Sequence, residues 1–571
     1  MQLLTDIVAG LGSRHGILVD PIGKECQLLR FDRFTRMPRF HLRAGAIIDG
    51  VEYCFPLAGA EATGFDFVDQ RTTPCTVQFI GMHAASCLKV VLTLATPFRP
   101  RDADFSTTPV IAIDIRAEVF PGIFRWKRKS LELETVDLFC EVTGDAFDIR
   151  RQGDDALDLH FASVRAKVKD DFTDVWDTID EAVPQVDRLV AIAGERDGQR
   201  FRQSVGVGKQ ADDQRLRLGW CTWSEPVLEL FGQRRAFRYS TNFASLDAVA
   251  TWARELGDEV LTNAIRVDGI VQEHNQGQAV DHLLAYSLHS WLANSWWAVG
   301  PDEAPERNWF SVWEGSCYFH STVDVEFTQS PLYLALWPEL LGYELDAWPA
   351  FSNPGEEITG ERGVGSTYLS HDTGAHAEAS RQYYSHDMAV EETSNYCILS
   401  YAYWRRSGDD QYLQRHADTL RAYLAFLQAA DSTGNGVPDL GIANTVDDAS
   451  PAVQFGREQV YLAVKTLGAW VAGTAVFEHL GDDEQVTRCR EQADLLRRSI
   501  EERGWLDDHY AVLLEKSGEL TNPWSGQQMA CAEIPGWDAA HIYTANAIAV
   551  LDLVGCDLGL DPRRLRTDLR V

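Results

Sequence analysis

The chain has 571 residues and carries 85 Asp and Glu against 52 Lys and Arg, a formal net charge of −33. That length exceeds what one hydrophobic core usually organises, so two domains are expected, and so acidic a surface repels a phosphate backbone, which excludes nucleic acid and disfavours polyanionic glycans as partners. The eleven cysteines, an odd number scattered singly with no C-x-x-C pair, fit neither a disulfide framework nor a zinc site and read as reduced thiols of a cytoplasmic protein.

Met1 to Gly12 lacks the basic start and unbroken apolar run of a signal peptide, and the sequence reads as holding no apolar segment of 18 residues. A soluble, unexported protein without a membrane partner is therefore expected. From about Phe40 to Tyr239 short alternating or β-branched runs recur: Cys75 to Ile80, Lys89 to Leu94, Val110 to Ile115, Leu133 to Val142, Arg188 to Ile192 and Arg215 to Trp220. Turn clusters such as Asp49-Gly50 and Gln152-Gly153-Asp154-Asp155 separate them. This spacing predicts an antiparallel β-sandwich as an N-terminal domain over residues 1–235, with a structural role. Trp220-Cys221-Thr222-Trp223 is either a sugar platform or packing in its core or interface.

After about Ala236 the apolar period lengthens from two residues to between three and four, which marks the expected start of a second domain, residues 236–571. Helices are predicted at Ser245 to Leu256, Gln278 to Val299, Asp324 to Trp348, Met388 to Arg406, Gln411 to Ala430, Gly456 to Leu480, Glu484 to Gly504 and Ala540 to Val554, with another start at Asp561. Helices of ~20 residues joined by alternating short and long connections predict an α/α toroid, an (α/α)6-type barrel. A closed ring of six hairpins needs about twelve helices, so the barrel is expected to be open or incomplete at its C-terminus.

Two loop-borne acids stand out. Glu314 precedes Gly315 after the apolar run Trp309 to Trp313, where the glycine permits a sharp turn. Ten residues on, Asp324 opens a long helical segment, where an acid in the first turn is favoured by the helix dipole. The plain alternatives are a solvated loop acid for Glu314 and a helix cap for Asp324. The second acid, Asp447, comes from the long turn-rich stretch Gly434 to Asp448, which is too apolar to be disordered. Two loop carboxylates in a Trp-rich chain match the needs of glycosidic cleavage, one as nucleophile or base and one as general acid. Asp448 is a rival for the second role.

Metal readings are weaker. His371, His376 and His386 with Asp372 and Asp387 match no helix-borne ligand pattern, so neither a catalytic metal nor another cofactor is expected. Asp431, Thr433, Asn435, Val437 and Asp439 have the spacing of a calcium loop, but Ile442 stands where a bidentate Glu is needed. The pair His386-Asp387 leads into a helix with Asp387 as its expected cap, and Glu391 just beyond is a rival for a pocket role.

These stretches resemble the retaining β-glycosidases of glycoside hydrolase family 52, the β-xylosidases, and the related family 116. The blocks that carry the resemblance are Glu314-Gly315, Ser321-Thr322-Val323-Asp324, His371-Asp372-Thr373-Gly374, Thr445-Val446-Asp447, and Arg457 followed by Tyr461-Leu462-Ala463. They stand in the family's order between about residues 280 and 480. The resemblance implies Glu314 as nucleophile and Asp447 as general acid/base. It implies sugar contacts from Asp324, His371 and Asp372, with Thr445 and Arg457 at the substrate. Arg457 is equally readable as half of a structural ion pair. Ser321, Thr373 and Val446 depart from the family's Asn, Met and Tyr and touch the pocket wall. The implied activity is a β-xylosidase acting on an oligosaccharide or glycoside by double displacement. A β-glucosidase and a catalytically incompetent carbohydrate-binding protein are the alternatives, and a homo-oligomer is left open.

Overall fold

The computed structural model describes residues 3–571 apart from 30–38, 120–132, 146, 162–166, 170–175, 179–185, 207–213, 275–276, 301–307, 316, 356, 359–360, 363–364, 443–444, 446–451, 454–455, 517 and 522–527. The chain divides into two compact units, Met1–Phe310 and Ser311–Val571.

The first unit is an antiparallel sandwich of two eight-stranded sheets. One runs Asp6–Ala9, Gly16–Asp20, Glu25–Leu29, Arg39–Ile48, Thr135–Thr143, Arg200–Gly206, Glu195–Asp197, with Val51–Cys54 also paired to Arg39–Ile48. The other runs Phe147–Gln152, Ala156–Phe161, Val186–Ala193, Arg215–Cys221, Val110–Val119, Leu88–Ala95, Thr76–His83, Phe67–Thr73. Alternation is the cause: Phe40, Leu42, Ala44, Ala46 and Ile48 turn inward from one strand, and Leu88, Val90, Leu92 and Leu94 from another, into one shared core. Phe40 of the first sheet meets Trp220 of the second with ring centroids 5.1 Å apart. Trp220 is a core residue, its Nε1 donating to Asp187 Oδ2 at 2.8 Å, which decides against a sugar platform there.

Residue 236 lies in strand Gln233–Phe237, the first long helix begins at Leu246, and the compact unit continues to Phe310. The reason is packing: helix α1 (Leu246–Glu273) lies on the second sheet, and helix α2 (Gln278–Asn294) lies on strand Asp6–Ala9. A Cβ on Gly257 of α1 would come within 2.5 Å of Ile192 Cδ1, so a larger residue there would have to displace that side chain. The predicted helix Gln278 to Val299 stops at Asn294, and its aromatic end forms strand Ser295–Val299.

The second unit is helical. Its helices are α3 (Val323–Leu336), α4 (Pro338–Ala347), α5 (Ala389–Ser407), α6 (Asp410–Ala429), α7 (Val460–Leu480), α8 (Asp483–Ser499), α9 (Asn546–Asp552) and α10 (Pro562–Asp568). The expected single helix from Asp324 to Trp348 is two, because Pro338 cannot continue the hydrogen-bond ladder and instead starts α4. Helices α5 and α7 form the interior: a Cβ on Gly468 would lie 2.9 Å from Ile398, and one on Gly473 would lie 2.9 Å from Leu424 of α6. Helix α7 corrects one expectation, since it is long and apolar enough to cross a membrane, with a hydropathy of 1.5. Of that apolar window 83% is buried inside the protein, as in the core helix of a folded domain.

Candidate functional site

Glu314 sits on a tight turn. Its N–H donates to Phe319 O at 2.9 Å, Cys317 N–H donates back to Glu314 O at 2.9 Å, and Gly315 takes φ 43 with open space about it. The segment then pairs with the loop that carries His371: His320 N–H donates to Gly374 O at 2.8 Å, Thr373 N–H to His320 O at 3.0 Å, and Val323 N–H to His371 O at 3.0 Å. These bonds bring the start of α3 and His371 beside Glu314. Thr322 Oγ1 donates to Glu314 Oε2 at 2.9 Å. Burial raises the Glu314 carboxyl above the ordinary glutamate range, and the Asp324 charge adds to the rise; His371, Thr322 and Cys317 oppose it.

Asp324 is buried in the first turn of α3, whose cap is Thr322, so the plain capping role does not apply to it. His371 Nδ1 lies 3.0 Å from Asp372 Oδ2. A carboxylate only accepts, so Nδ1 carries the proton and Nε2 is left for other partners. Burial alone would lower the His371 pKa; the neighbouring Asp372, Asp324 and Glu314 outweigh it and raise it. Asp372 accepts further bonds from the N–H groups of Gly374 at 3.0 Å, Tyr383 at 2.8 Å and Tyr384 at 2.9 Å. Both its oxygens are engaged, so its work in this structure is to fix the loop and orient His371.

A second set of charged groups comes from α5 and α7. Helix α5 buries Glu391, Glu392, Thr393, Ser394 and Asn395 in succession. Tyr461 donates its hydroxyl to Glu391 Oε1, and Lys465 Nζ donates to Asn395 Oδ1 while standing 3.9 Å from Glu391 Oε1. The ammonium also lies 3.4 Å from the centre of the Phe327 ring. Burial lowers Lys465 to about 8 against the pull of Glu391, Glu392 and Asp324. Asn395 Nδ2 donates to Glu392 Oε2 at 3.1 Å. Burial, then the charges of Asp324 and Glu391, push Glu392 well above the ordinary range. One donor atom each from Asp324, His371 and Glu392 lie within 4.8 Å of one another, a set able to hold a cation.

The remaining sequence candidates separate. Asp447 and its rival Asp448 lie outside the described residues. Thr445 is buried, and its loop is tied to the start of α5 by Val390 N–H donating to Gly441 O at 3.0 Å. Arg457 is exposed and does not join the buried cluster. Asp387 does not cap α5: Met388 holds that position, and Asp387 Oδ1 accepts from Gln382 Nε2 at 3.2 Å. The calcium-like loop closes on itself, with Asp431 Oδ1 accepting Gly434 N–H at 2.8 Å, Asp431 Oδ2 accepting Gly436 N–H at 2.6 Å, and Asp439 taking Ser432 N–H and Oγ at 2.7 and 2.6 Å. Glu392 and Lys465 were not singled out from sequence. A lone Lys in the otherwise apolar turns of α7 was the readable signal, since an unpaired buried ammonium is not tolerated.

Comparison with known proteins adds the following. Residues 310–525 match the family model described as the glutaminase A six helical-hairpin domain. Glutaminase A of Aspergillus oryzae (strain ATCC 42149 / RIB 40) is 32% identical over 110 residues, covering 19% of this chain and 15% of that protein. A β-xylosidase of Geobacillus stearothermophilus is 22% identical over 301 residues, covering 47% of this chain and 41% of the relative. The matched stretches thus span less than half of either relative. Among solved structures, a family 92 α-mannosidase from Bacteroides thetaiotaomicron shares 8% identity at TM-score 0.40, covering 99% of this chain and 72% of that one. A bacterial glucoamylase complexed with acarbose shares 8% identity at TM-score 0.36, covering 90% and 71%.

Proposed function

We propose that the chain is a retaining β-glycosidase of β-xylosidase type, with Glu314 as nucleophile and Asp447 as general acid/base. The observation that carries this reading is the placement of Glu314 on a glycine turn against Asp324 and His371. The likeness to a β-xylosidase supports it. In the first displacement Glu314 attacks the anomeric carbon while Asp447 protonates the leaving oxygen, and in the second Asp447 deprotonates the water that releases the sugar. Thr322 holds one carboxylate oxygen of Glu314 and aims the other. Asp324 and the Nε2 edge of His371 take sugar hydroxyls, Asp372 keeps His371 in register, and Thr445 and the exposed Arg457 contact substrate. The free thiols at every described cysteine support a reducing, cytoplasmic setting.

The test is hydrolysis of nitrophenyl β-xyloside and β-glucoside, with Glu314→Ala beside the wild type. Release by the wild type, loss in the variant and partial return with azide establish the mechanism and name the sugar. Release that survives in Glu314→Ala refutes the assignment.

The match to glutaminase A favours a second reading, hydrolysis of an amide by the same carboxylate-rich pocket. Ammonia release from glutamine, with no release from either glycoside, would establish it in place of the first. A β-glucosidase is read out directly by the paired substrates.

A further inference from the structure

Asp324 from the first turn of α3, His371 from its loop and Glu392 from the first turn of α5 converge as a buried set of donor atoms. Two independent observations point to a ligand there. Glu392 is 0% exposed, yet its Oε1 has no hydrogen-bond partner among the described residues. An orphaned carboxylate oxygen costs a few kcal/mol unless something positive meets it. His371, for its part, gives Nδ1–H to Asp372, and three backbone N–H groups fix Asp372 in turn. That relay sets the tautomer and ring angle of a metal-bound imidazole and leaves Nε2 as the ligating atom.

We propose that Asp324, His371 and Glu392 bind one divalent cation of the Mn2+ or Zn2+ type. Charge balance supports a dication. The Lys465 ammonium is committed to Asn395, to the Glu391 side of the cluster and to the Phe327 ring. Two carboxylates with a neutral imidazole then remain, and two positive charges neutralise them. The donor types select the ion, because carboxylates suit Mn2+ and an imidazole suits Zn2+. Donors bound to one ion at ~2.0–2.2 Å lie no more than ~4.4 Å apart. The three donor atoms lie within 4.8 Å of one another, so side-chain adjustment of about 1 Å brings all three onto one ion. Three protein ligands leave further positions on the ion for water or for a sugar hydroxyl, which would then meet Asp324 and His371 through the ion in place of the direct contacts proposed above.

The experiment uses the full chain stripped with chelator and titrated with Mn2+ alone or Zn2+ alone by calorimetry, with bound metal counted by elemental analysis. One ion per chain is expected, with affinity at least tenfold weaker in Glu392→Gln and in Asp324→Asn. Metal-free melting curves establish that the variants are folded. Should either variant fail to fold, the wild type decides: pulsed electron paramagnetic resonance of bound Mn2+ should show a directly coordinated histidine nitrogen. Absence of stoichiometric uptake, affinity unchanged in the folded variants, or Mn2+ without nitrogen coupling overturns the proposal. No sugar is present, so failure here leaves the glycosidase reading standing, and failure of glycoside hydrolysis leaves this site standing.

Discussion

Strand Arg39–Ile48 and helix α5 are both buried along most of their length, and in opposite ways. The strand buries Phe40, Leu42, Ala44, Ala46 and Ile48 and leaves His41 and Arg43 half-exposed between them. The helix is buried from Ala389 to Tyr403, and its first turns carry Glu391, Glu392, Thr393, Ser394 and Asn395. Apolar burial of the first kind stabilises by about 25 cal/mol per Å² and asks little of its neighbours beyond shape. Burial of the second kind costs several kcal/mol per charge and persists only where partners in space answer it, here Tyr461, Lys465 and Asn395. A fold tolerates such a region where the charges serve chemistry.

The largest expected effect tests the polar half. Glu314→Ala should lower glycoside turnover by at least ~1000-fold, about 4 kcal/mol in activation free energy. Retention of a tenth of wild-type turnover would mean that the buried acids serve structure alone. The apolar half is tested by Leu42→Ala, which should cost about 2–5 kcal/mol in a denaturant melt through lost burial and a residual cavity. A loss under ~1 kcal/mol would show that the sandwich core relaxes around the gap. Asp372→Asn lies between the halves, because it removes an orienting carboxylate without touching substrate. It should lower kcat by about tenfold to a hundredfold and, because its amide nitrogen faces donors that the carboxylate now accepts, lower stability by about 1–3 kcal/mol; unchanged kinetics would strip Asp372 of that role.

Much of this contrast was readable in the sequence, and for a physical reason. Period-two runs announced the strands from Thr76–His83 to Arg215–Cys221, because alternation is a local property. The Glu314-Gly315 turn was legible for the same reason, since a positive φ asks for glycine. Pro338 marks the break between α3 and α4, although the apolar periodicity runs on across it. What stayed hidden was whatever depends on distant partners. Glu392 and Lys465 read as ordinary helix charges until α5 and α7 are packed together. Asp372 reads as a sugar ligand in the sequence, which does not show the three backbone N–H groups that the fold brings onto it. The end of the first unit was hidden in the same way, because the helical period of α1 and α2 says nothing of the sheets they cover.

The smallest effect carries the opposite sign to Leu42→Ala and so closes the comparison. Glu326 and Glu344 are fully buried, with Tyr333 donating its hydroxyl to Glu326 Oε2 at 2.6 Å and Ser321 Oγ donating to Glu344 Oε1 at 3.3 Å. Burial raises both carboxyls, and the charge of Glu326 raises Glu344 further, so Glu344 keeps the proton and donates it to Glu326. Unfolded, each would ionise near ~4.3. The folded chain therefore holds protons that the unfolded chain releases above that pH. Their contribution to stability is whole below pH ~4.3 and is lost as pH rises through the raised folded values. Glu344→Gln puts an amide N–H donor in place of the carboxyl O–H toward Glu326, without a proton to lose. It should raise the melting temperature by about 2–4 °C at pH 8, roughly 1 kcal/mol, and leave it nearly unchanged at pH 4. A fall at pH 8 would mean that the pair is ionised in the folded chain and answered by a positive group, and buried acid in this unit would then stabilise as apolar burial does in the other.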